Sequence, residues 1–394
     1  MAAYTKLEKM KIVFHDNGLH KRFAPLTLTR PLCDLRMGLF SNRERWLLMM
    51  GRSTDEFVYF DTADYLKEKY PLFTHEQDYV HINSQVVPDI ALVNEVQELK
   101  MGEELRSTTT WIARKGSMKD AFEVKICVNA PLIELNYKWD LFQKNSTVLA
   151  SDFYFHTSGR QSLPVSSSNT VIGDPKLIFI EEGAQVEASI LNASSGPIYI
   201  GAHAEVMEGS MIRGSFALGD YGCVKMGTKL YGSTSIGPHC KVGGEISNSI
   251  FIGYSNKGHD GFLGNSLIGE WCNLGADTNS SNLKNNYGKV KVYCFEHEAM
   301  VQTDVQFMGL IMGDHSKSGI NTMFNTATTV GVSSNVFGAD FPPKYIPSFA
   351  WGSYLDDKFD LYKVFDASDA MMNRRGIKLS TAEKGILRHL HESN

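Results

Sequence analysis

The chain has 394 residues, a formal charge of −5, and 43% hydrophobic and 21% charged residues. That acidic balance argues against a general nucleic-acid or anionic-membrane binder, and the length gives room for two separate cores. None of the six cysteines forms a C-x-x-C pair, which argues against a disulfide framework or structural zinc site and fits a reducing cytoplasm.

Met1–Lys11 is charged and lacks the apolar core of a signal peptide, and no segment reaches transmembrane length. Residues 1–9 read as a disordered leader, with Met10 as a second possible start. Residues 10–152 read as an α/β domain. It opens with a strand at Lys11–His15 and turns at Asp16-Asn17-Gly18. The run Arg30–Gly38 is rich in Arg within an apolar helix start, which packing alone does not explain. Asp140 and Asp152 are the candidate metal ligands near the end of this domain. Residues 153–168, with Gly159, Pro164 and three serines at 166–168, read as a linker.

A repeat then dominates. Ile200, Val206, Ile212, Leu218, Val224, Leu230, Ile236 and Val242 are spaced six apart and are all aliphatic. Small residues often follow them, as in Ile236-Gly237. Period six suits neither a 3.6-residue helix nor strand alternation. It suits a parallel β-solenoid with three short faces per coil, each sending one aliphatic side chain inward. The pattern extends over residues 169–351. Residues 352–394 read as a helical tail of one or two helices, broken at Gly376, that could cap the open solenoid end.

The repeat fails between Val242 and Ile268, where Asn248 stands in place of an aliphatic. In the same region Ser255–Gly288 gathers Lys257, His259, Asn273, Asn282 and Lys284 among small residues. A regular scaffold that breaks its own rule in one place usually does so for a site.

The hexad pattern resembles the hexapeptide-repeat, left-handed β-helix acyltransferases; the left hand is implied by that resemblance alone. The polar block resembles one branch, the bifunctional glucosamine-1-phosphate N-acetyltransferase and N-acetylglucosamine-1-phosphate uridyltransferase family. The carrying residues are Lys257-Gly258-His259, Phe262-Leu263-Gly264, Asn273-Leu274-Gly275-Ala276-Asp277-Thr278 and Asn282. Acetyl transfer to an amine needs a base, and a histidine titrating near neutrality suits that role. The resemblance implies His259 as that base, with His315 a weaker second candidate. It implies Asn273 orienting amine or carbonyl. It also implies that Lys241, Lys257, Phe262, Asn282 and Lys284 line the acceptor site and that Ala276, Thr278 and Asn321 lie along acetyl-CoA. Phe262 replaces a tyrosine, Gly243 and Asn248 replace phosphate-binding cations, and Asp277 replaces a glycine, so the acceptor contacts are altered.

In the first domain, Gly18, Arg22, Pro25, Leu26, Thr27 and Pro31 resemble the phosphate loop of sugar-phosphate nucleotidyltransferases. That resemblance implies a Rossmann-like domain binding an NTP with Mg2+ through Gly18, Arg22, Thr27, Arg30 and Arg36, with Asp152 as metal ligand. His20 replaces the loop's second glycine and Leu32 its lysine, and the domain is short. Across nearly the whole chain the sequence resembles a divergent, Bacteroidetes-type branch of the bifunctional family.

The expected protein is thus a homotrimeric enzyme of sugar-nucleotide biosynthesis. It would acetylate an amino-sugar 1-phosphate and transfer a nucleotidyl group to a sugar 1-phosphate, yielding a UDP-N-acetylglucosamine-type product. Two other readings remain open: one activity retained with the other domain structural, or a non-catalytic sugar-nucleotide-binding trimer.

Overall fold

The computed structural model describes residues 10–393, apart from 53–54, 76, 120, 129–130 and 353–356. The expected leader at residues 1–9 lies outside the described residues. The first domain is built on a six-stranded mixed sheet. Its strand order is Val58–Asp61, Ile12–His15, Tyr79–Asn83, Trp111–Gly116, Glu103–Arg106, Glu123–Ile126. Ile12–His15 is buried along its whole length and runs parallel to both neighbours, so its apolar run needs no alternation. The chain leaves this strand to one side and later returns to the other.

The helix expected to start within Arg30–Gly38 does not form there. Leu32–Asp34 make a single 3-10 turn and Arg36–Met37 a short strand. The helix begins at Asn42, where Ser41 and Glu44 form a reciprocal capping box. A second difference concerns the linker. Helix Asp140–Thr157 runs five residues beyond 152, because its buried face packs on the solenoid. There the Asn145 amide donates to Ser233 O at 2.9 Å and Ser235 Oγ at 3.1 Å.

From Thr170 to Trp351 the chain forms a parallel solenoid of three sheets, with eight, nine and nine parallel strands. All eight positions of the six-residue repeat are buried, none more than 2% exposed, and they belong to one core. Register confirms the pattern: Val206 pairs with Val224 and Val224 with Val242, one coil apart. Burying each such side chain contributes about 1.5–3 kcal/mol before conformational entropy is counted. The lapse after Val242 is a shortened coil, not a break. The corner there holds only Gly243-Gly244, and the next inward position in register with Val242 is Lys257.

An antiparallel hairpin, Lys291–Cys294 with Ala299–Gln302, is inserted between coils. The tail forms two helices, Leu361–Asn373 and Thr381–Glu392, and Gly376 takes a left-handed φ of 69° in the break. Asp357–Lys358 pairs antiparallel with Ala350–Trp351, covering the edge of the last coil. The three solenoid faces have different fates. One packs against the first domain through Phe179, Tyr199 and Phe153 and the neighbouring apolar cluster. One lies partly under helix Leu361–Asn373. The third leaves Ile172, Ile190, Met211 and Tyr231 exposed.

Candidate functional site

The polar block is distributed around the solenoid instead of converging on one point. His259 stands at the corner after strand Asn256–Lys257 and is exposed, and among the described residues nothing hydrogen-bonds its ring. Glycine makes this corner possible. A Cβ at Gly243 would lie 2.7 Å from Gly258 O, and one at Gly261, whose φ is 117°, would lie 2.3 Å from Thr278 O. The next coils stack on it: Asp277 N donates to Asp260 O at 3.1 Å, and Asn321 N to Ala276 O at 2.8 Å. Ala276 and Asn321 therefore lie on the same corner as His259.

Lys257 does not face a substrate. Its side chain is fully buried in the inward column, and Nζ donates to Gly243 O (3.3 Å), His259 O (2.7 Å) and Asp260 O (3.1 Å). Burial pushes its ammonium down to about 8, against the opposing pull of Asp260 and Asp277. It ties down the turn that carries His259. Thr278 is also buried, with Oγ1 2.9 Å from Ser318 Oγ, so it is not available to line a CoA path.

Phe262 is half-buried on the neighbouring sheet, its N–H donating to Asn279 Oδ1 at 2.8 Å. Asn282 and Lys284 lie beyond the far edge of that sheet, roughly 10 Å of strand away from the His259 corner. Asn282 Nδ2 donates to Asn265 Oδ1 and Lys284 Nζ to Lys289 O, so both are engaged locally. Lys241 and Asn273 share a different surface, the outer face of the sheet under helix Leu361–Asn373. There they line a cavity with Asn256 and Lys317. His315 is buried, and burial pushes it down to about 4, despite Asp314, so it stays neutral and is no solvent-facing base.

The first domain departs furthest from expectation. Gly18 keeps the loop's left-handed turn, with φ 74°. Its cations, however, are held elsewhere. Arg22 grips Glu296 of the inserted hairpin through two bonds of 2.8 and 3.0 Å. Arg30 is buried against Asp314 and Glu270 of the solenoid. Arg36 donates to Ile252 O at 3.0 Å and to Leu39 O. Thr27 is buried with its hydroxyl on His20 O. Asp152 is not a metal ligand: Arg45 binds both its oxygens at 2.7 and 2.9 Å, and Leu39 N donates a further 2.9 Å bond. Asp140 is buried, one of its oxygens accepts from Asn136 N and Tyr137 N, and the other lies 3.7 Å from the Lys144 ammonium. The donor set therefore does not fit a magnesium ion.

The first domain instead holds a buried pair of imidazoles on neighbouring strands that sequence reasoning missed. Asp61 Oδ2 lies 2.8 Å from His15 Nδ1, and His15 Nε2 lies 2.9 Å from His81 Nδ1. Burial, aided by His15, pushes His81 down to about 4. Nothing in the spacing of residues 15, 61 and 81 signals this pairing, which comes only from the order of the strands.

Residues 11–161 match the family described as sugar nucleotidyl transferase. The curated relatives include the bifunctional protein GlmU of Methanocaldococcus jannaschii, 34% identical over 87 residues, 22% of this chain and 21% of that one. GlmU of Trichodesmium erythraeum is 27% identical over 148 residues, 37% of this chain and 25% of its own length. The chain thus spans only about a quarter or less of the length of these relatives. A solved polySia-specific acetyltransferase, NeuO, aligns over 47% of this chain and 82% of its own at a TM-score of 0.25 and 12% identity. Fold and family match define a two-domain arrangement, a sugar-nucleotidyltransferase-type domain followed by a parallel β-solenoid. In that organisation the chain is GlmU-like, a distant relative of the bifunctional proteins.

Proposed function

We propose that the protein is a transferase of sugar-nucleotide biosynthesis whose solenoid N-acetylates an amino-sugar 1-phosphate from acetyl-CoA. The observation that carries this reading is His259, a free, exposed imidazole on a corner of glycines with Ala276 on the next coil. The imidazole accepts the proton of the attacking amine as the nitrogen adds to the thioester carbonyl. Collapse of the adduct breaks the C–S bond and releases CoA as the thiol. Backbone N–H groups at such a corner suit the transient oxyanion. Small residues at positions 258 and 276 leave the backbone open to an extended cosubstrate. The test is acetyl transfer from acetyl-CoA to a panel of amino-sugar phosphates, read by mass spectrometry. His259→Ala should lower the rate at least about a hundredfold; a variant with full activity would remove His259 as the base.

The N-terminal domain supports a second reading, that it retains the nucleotidyltransferase fold without the activity. Arg22 and Arg30 are both bound to carboxylates of the solenoid half, and Asp152 is occupied by Arg45. Nucleotidyl transfer needs metal and cations to offset charge on the attacked phosphorus. Release of pyrophosphate from UTP or dTTP by the full chain, with a sugar 1-phosphate and Mg2+, would instead favour the bifunctional reading. The exposed Ile172, Ile190, Met211 and Tyr231 suit packing of that face against other copies, as in a homotrimer, which sedimentation equilibrium would test. No described helix is long and apolar enough to cross a membrane.

A further inference from the structure

The inserted hairpin carries donors of three chemical kinds at its tip. Strands Lys291–Cys294 and Ala299–Gln302 pair until Cys294 meets Ala299, so residues 295–298 form the turn between them. Glu298 closes that turn with a left-handed φ of 49°. The tight return brings the Cys294 thiol, the Glu296 carboxylate and the His297 imidazole together, with one donor atom of each within 4.8 Å of the others. Among the described residues no other group of His, Cys, Asp and Glu gathers in this way. The hairpin itself is well seated. Val292 is buried in the apolar cluster between the domains, Tyr293 stacks on Tyr345, and the Lys138 ammonium donates to Tyr293 O at 2.9 Å.

Ion pairing explains part of this arrangement. Arg22 grips both oxygens of Glu296, and those hydrogen bonds hold its carboxyl below the usual range, so it stays ionised. A tie between domains needs neither a thiol nor an imidazole beside it. Cys294 is 8% exposed and in no disulfide. Neither its sulfur nor the His297 ring has a hydrogen-bond partner among the described residues. An ionised carboxylate has about four lone-pair sites, and Arg22 occupies one on each oxygen, so Glu296 can accept a further partner. The three side chains border a cavity of about 280 Å³, shared with Gln302 and Thr303.

The donor chemistry selects the ion. Magnesium and calcium prefer oxygen ligands, whereas zinc takes thiolate, imidazole and carboxylate together. Tetrahedral zinc, with bonds of about 2.0–2.3 Å, sets its ligands roughly 3.3–3.8 Å apart. Donors already within 4.8 Å reach that spacing by side-chain shifts of about 1 Å. We propose that Cys294, Glu296 and His297 form a zinc site at the hairpin tip, with water from the adjoining cavity as the fourth ligand. The ion clamps the turn. A two-stranded hairpin is marginally stable alone, and a metal held only by the folded chain adds its binding free energy to folding. Because Arg22 holds the same carboxylate, the clamp extends to the opening loop of the first domain. The set lacks the C-x-x-C spacing by which zinc sites are read in sequence, because one turn supplies all three donors. It holds whether or not His259 transfers an acyl group.

The test is zinc titration calorimetry on the full chain, stripped of metal with a chelator and kept reduced, with cobalt(II) as a spectroscopic substitute. Wild type, Cys294→Ser, His297→Ala and the remote control Cys127→Ser are compared, with thermal unfolding to confirm that each is folded. Wild type should bind zinc one to one at micromolar affinity or tighter and melt at a higher temperature with zinc than without. Its cobalt form should show a thiolate-to-metal charge-transfer band. Either site variant should weaken zinc by about tenfold or more, at least the loss that an outer-shell partner gives. Either should also lose the zinc-dependent rise in melting temperature, and the control should keep it. Absence of zinc binding at millimolar concentration would overturn the proposal. So would affinities unchanged in both site variants, or a charge-transfer band that survives Cys294→Ser, since each would place the metal on other side chains. If Cys294→Ser does not fold, the exposed His297 still decides the matter.

Discussion

Arg30 and Asp314 form a buried ion pair that joins the two domains. The guanidinium Nη2 donates to Asp314 Oδ2, and Glu270 Oε2 lies 3.2 Å from the same nitrogen. Thr29 Oγ1 gives Asp314 a further bond of 2.6 Å, and Glu270 N donates to its other oxygen at 2.8 Å. The side chains are 7% and 5% exposed. An arginine that resembles a triphosphate contact is thus an anchor for the solenoid.

Removing that anchor should be costly. Arg30→Met leaves Asp314 buried and uncompensated, which typically costs about 3–5 kcal/mol, read as a lower urea midpoint. Burial alone would raise the Asp314 carboxyl, but Arg30 beside it holds it below the ordinary range. A depressed carboxyl contributes stability above its unfolded pKa of about 4, and the contribution is lost as pH falls through the native value. Asp314→Asn should therefore flatten the stability–pH curve below about pH 4. A variant as steep as wild type there would show that other carboxylates govern acid unfolding.

Asp152 offers a second check on the first domain. Arg45 and Asp152 are 1% and 0% exposed, so Asp152→Asn leaves an uncompensated buried guanidinium. The expected loss is about 3–5 kcal/mol in chemical unfolding. Magnesium should leave the melting temperature of wild type and variant alike unchanged. A rise specific to wild type would restore Asp152 as a ligand.

Much of the architecture was legible because it follows from local period. Eight aliphatics at step six can be buried together only on a short-faced solenoid, and all eight are. Gly376 breaks the tail where expected, because the chain there needs a left-handed residue. The sites were less legible. Lys257 sits among polar residues in sequence, yet a corner shortened to Gly243-Gly244 puts it in register with Val242 and turns it inward. The same shortening sets a polar column in register across successive coils, Lys241 with Asn256, Asn256 with Asn273 and Asn273 with Lys317, that no local pattern announces. The fates of Arg22 and Arg30 depend on Glu296 and Asp314, some 280 residues away, and no local pattern carries that.

The inward lysine has its own signature. Lys257 titrates near 8 in the folded protein because of burial, below the ordinary lysine value of about 10.4. The native state thus releases its proton at lower pH than the unfolded chain. Stability should rise with pH across that interval, since there the unfolded state binds more protons. Lys257→Met should abolish this rise in denaturant midpoints between about pH 8 and 10. At pH 7 it also frees the three carbonyls it now caps, a loss of about 1–3 kcal/mol. An unaltered alkaline slope would mean the ammonium is solvated.

The sharpest test of the His259 corner is the glycine beneath it. An added Cβ at Gly243 meets Gly258 O at 2.7 Å and His259 N at 3.2 Å. These are backbone atoms and cannot rotate aside, so the turn carrying His259 must move by several tenths of an ångström. Such overpacking costs about 1–3 kcal/mol of stability. Displacement of a catalytic group can cost about a hundredfold in rate for roughly 1 Å of misplacement, so Gly243→Ala should lose acetyl transfer out of proportion to stability. Gly227, one coil earlier on the same edge, supplies the control. Its φ is 67° and no atom lies within 4 Å of an added Cβ, so Gly227→Ala strains the backbone without pushing a neighbour. Equal losses of acetyl transfer in the two variants would mean that the corner's geometry, as distinct from its stability, does not set the rate. A loss confined to Gly243→Ala would tie the reaction to the position of His259.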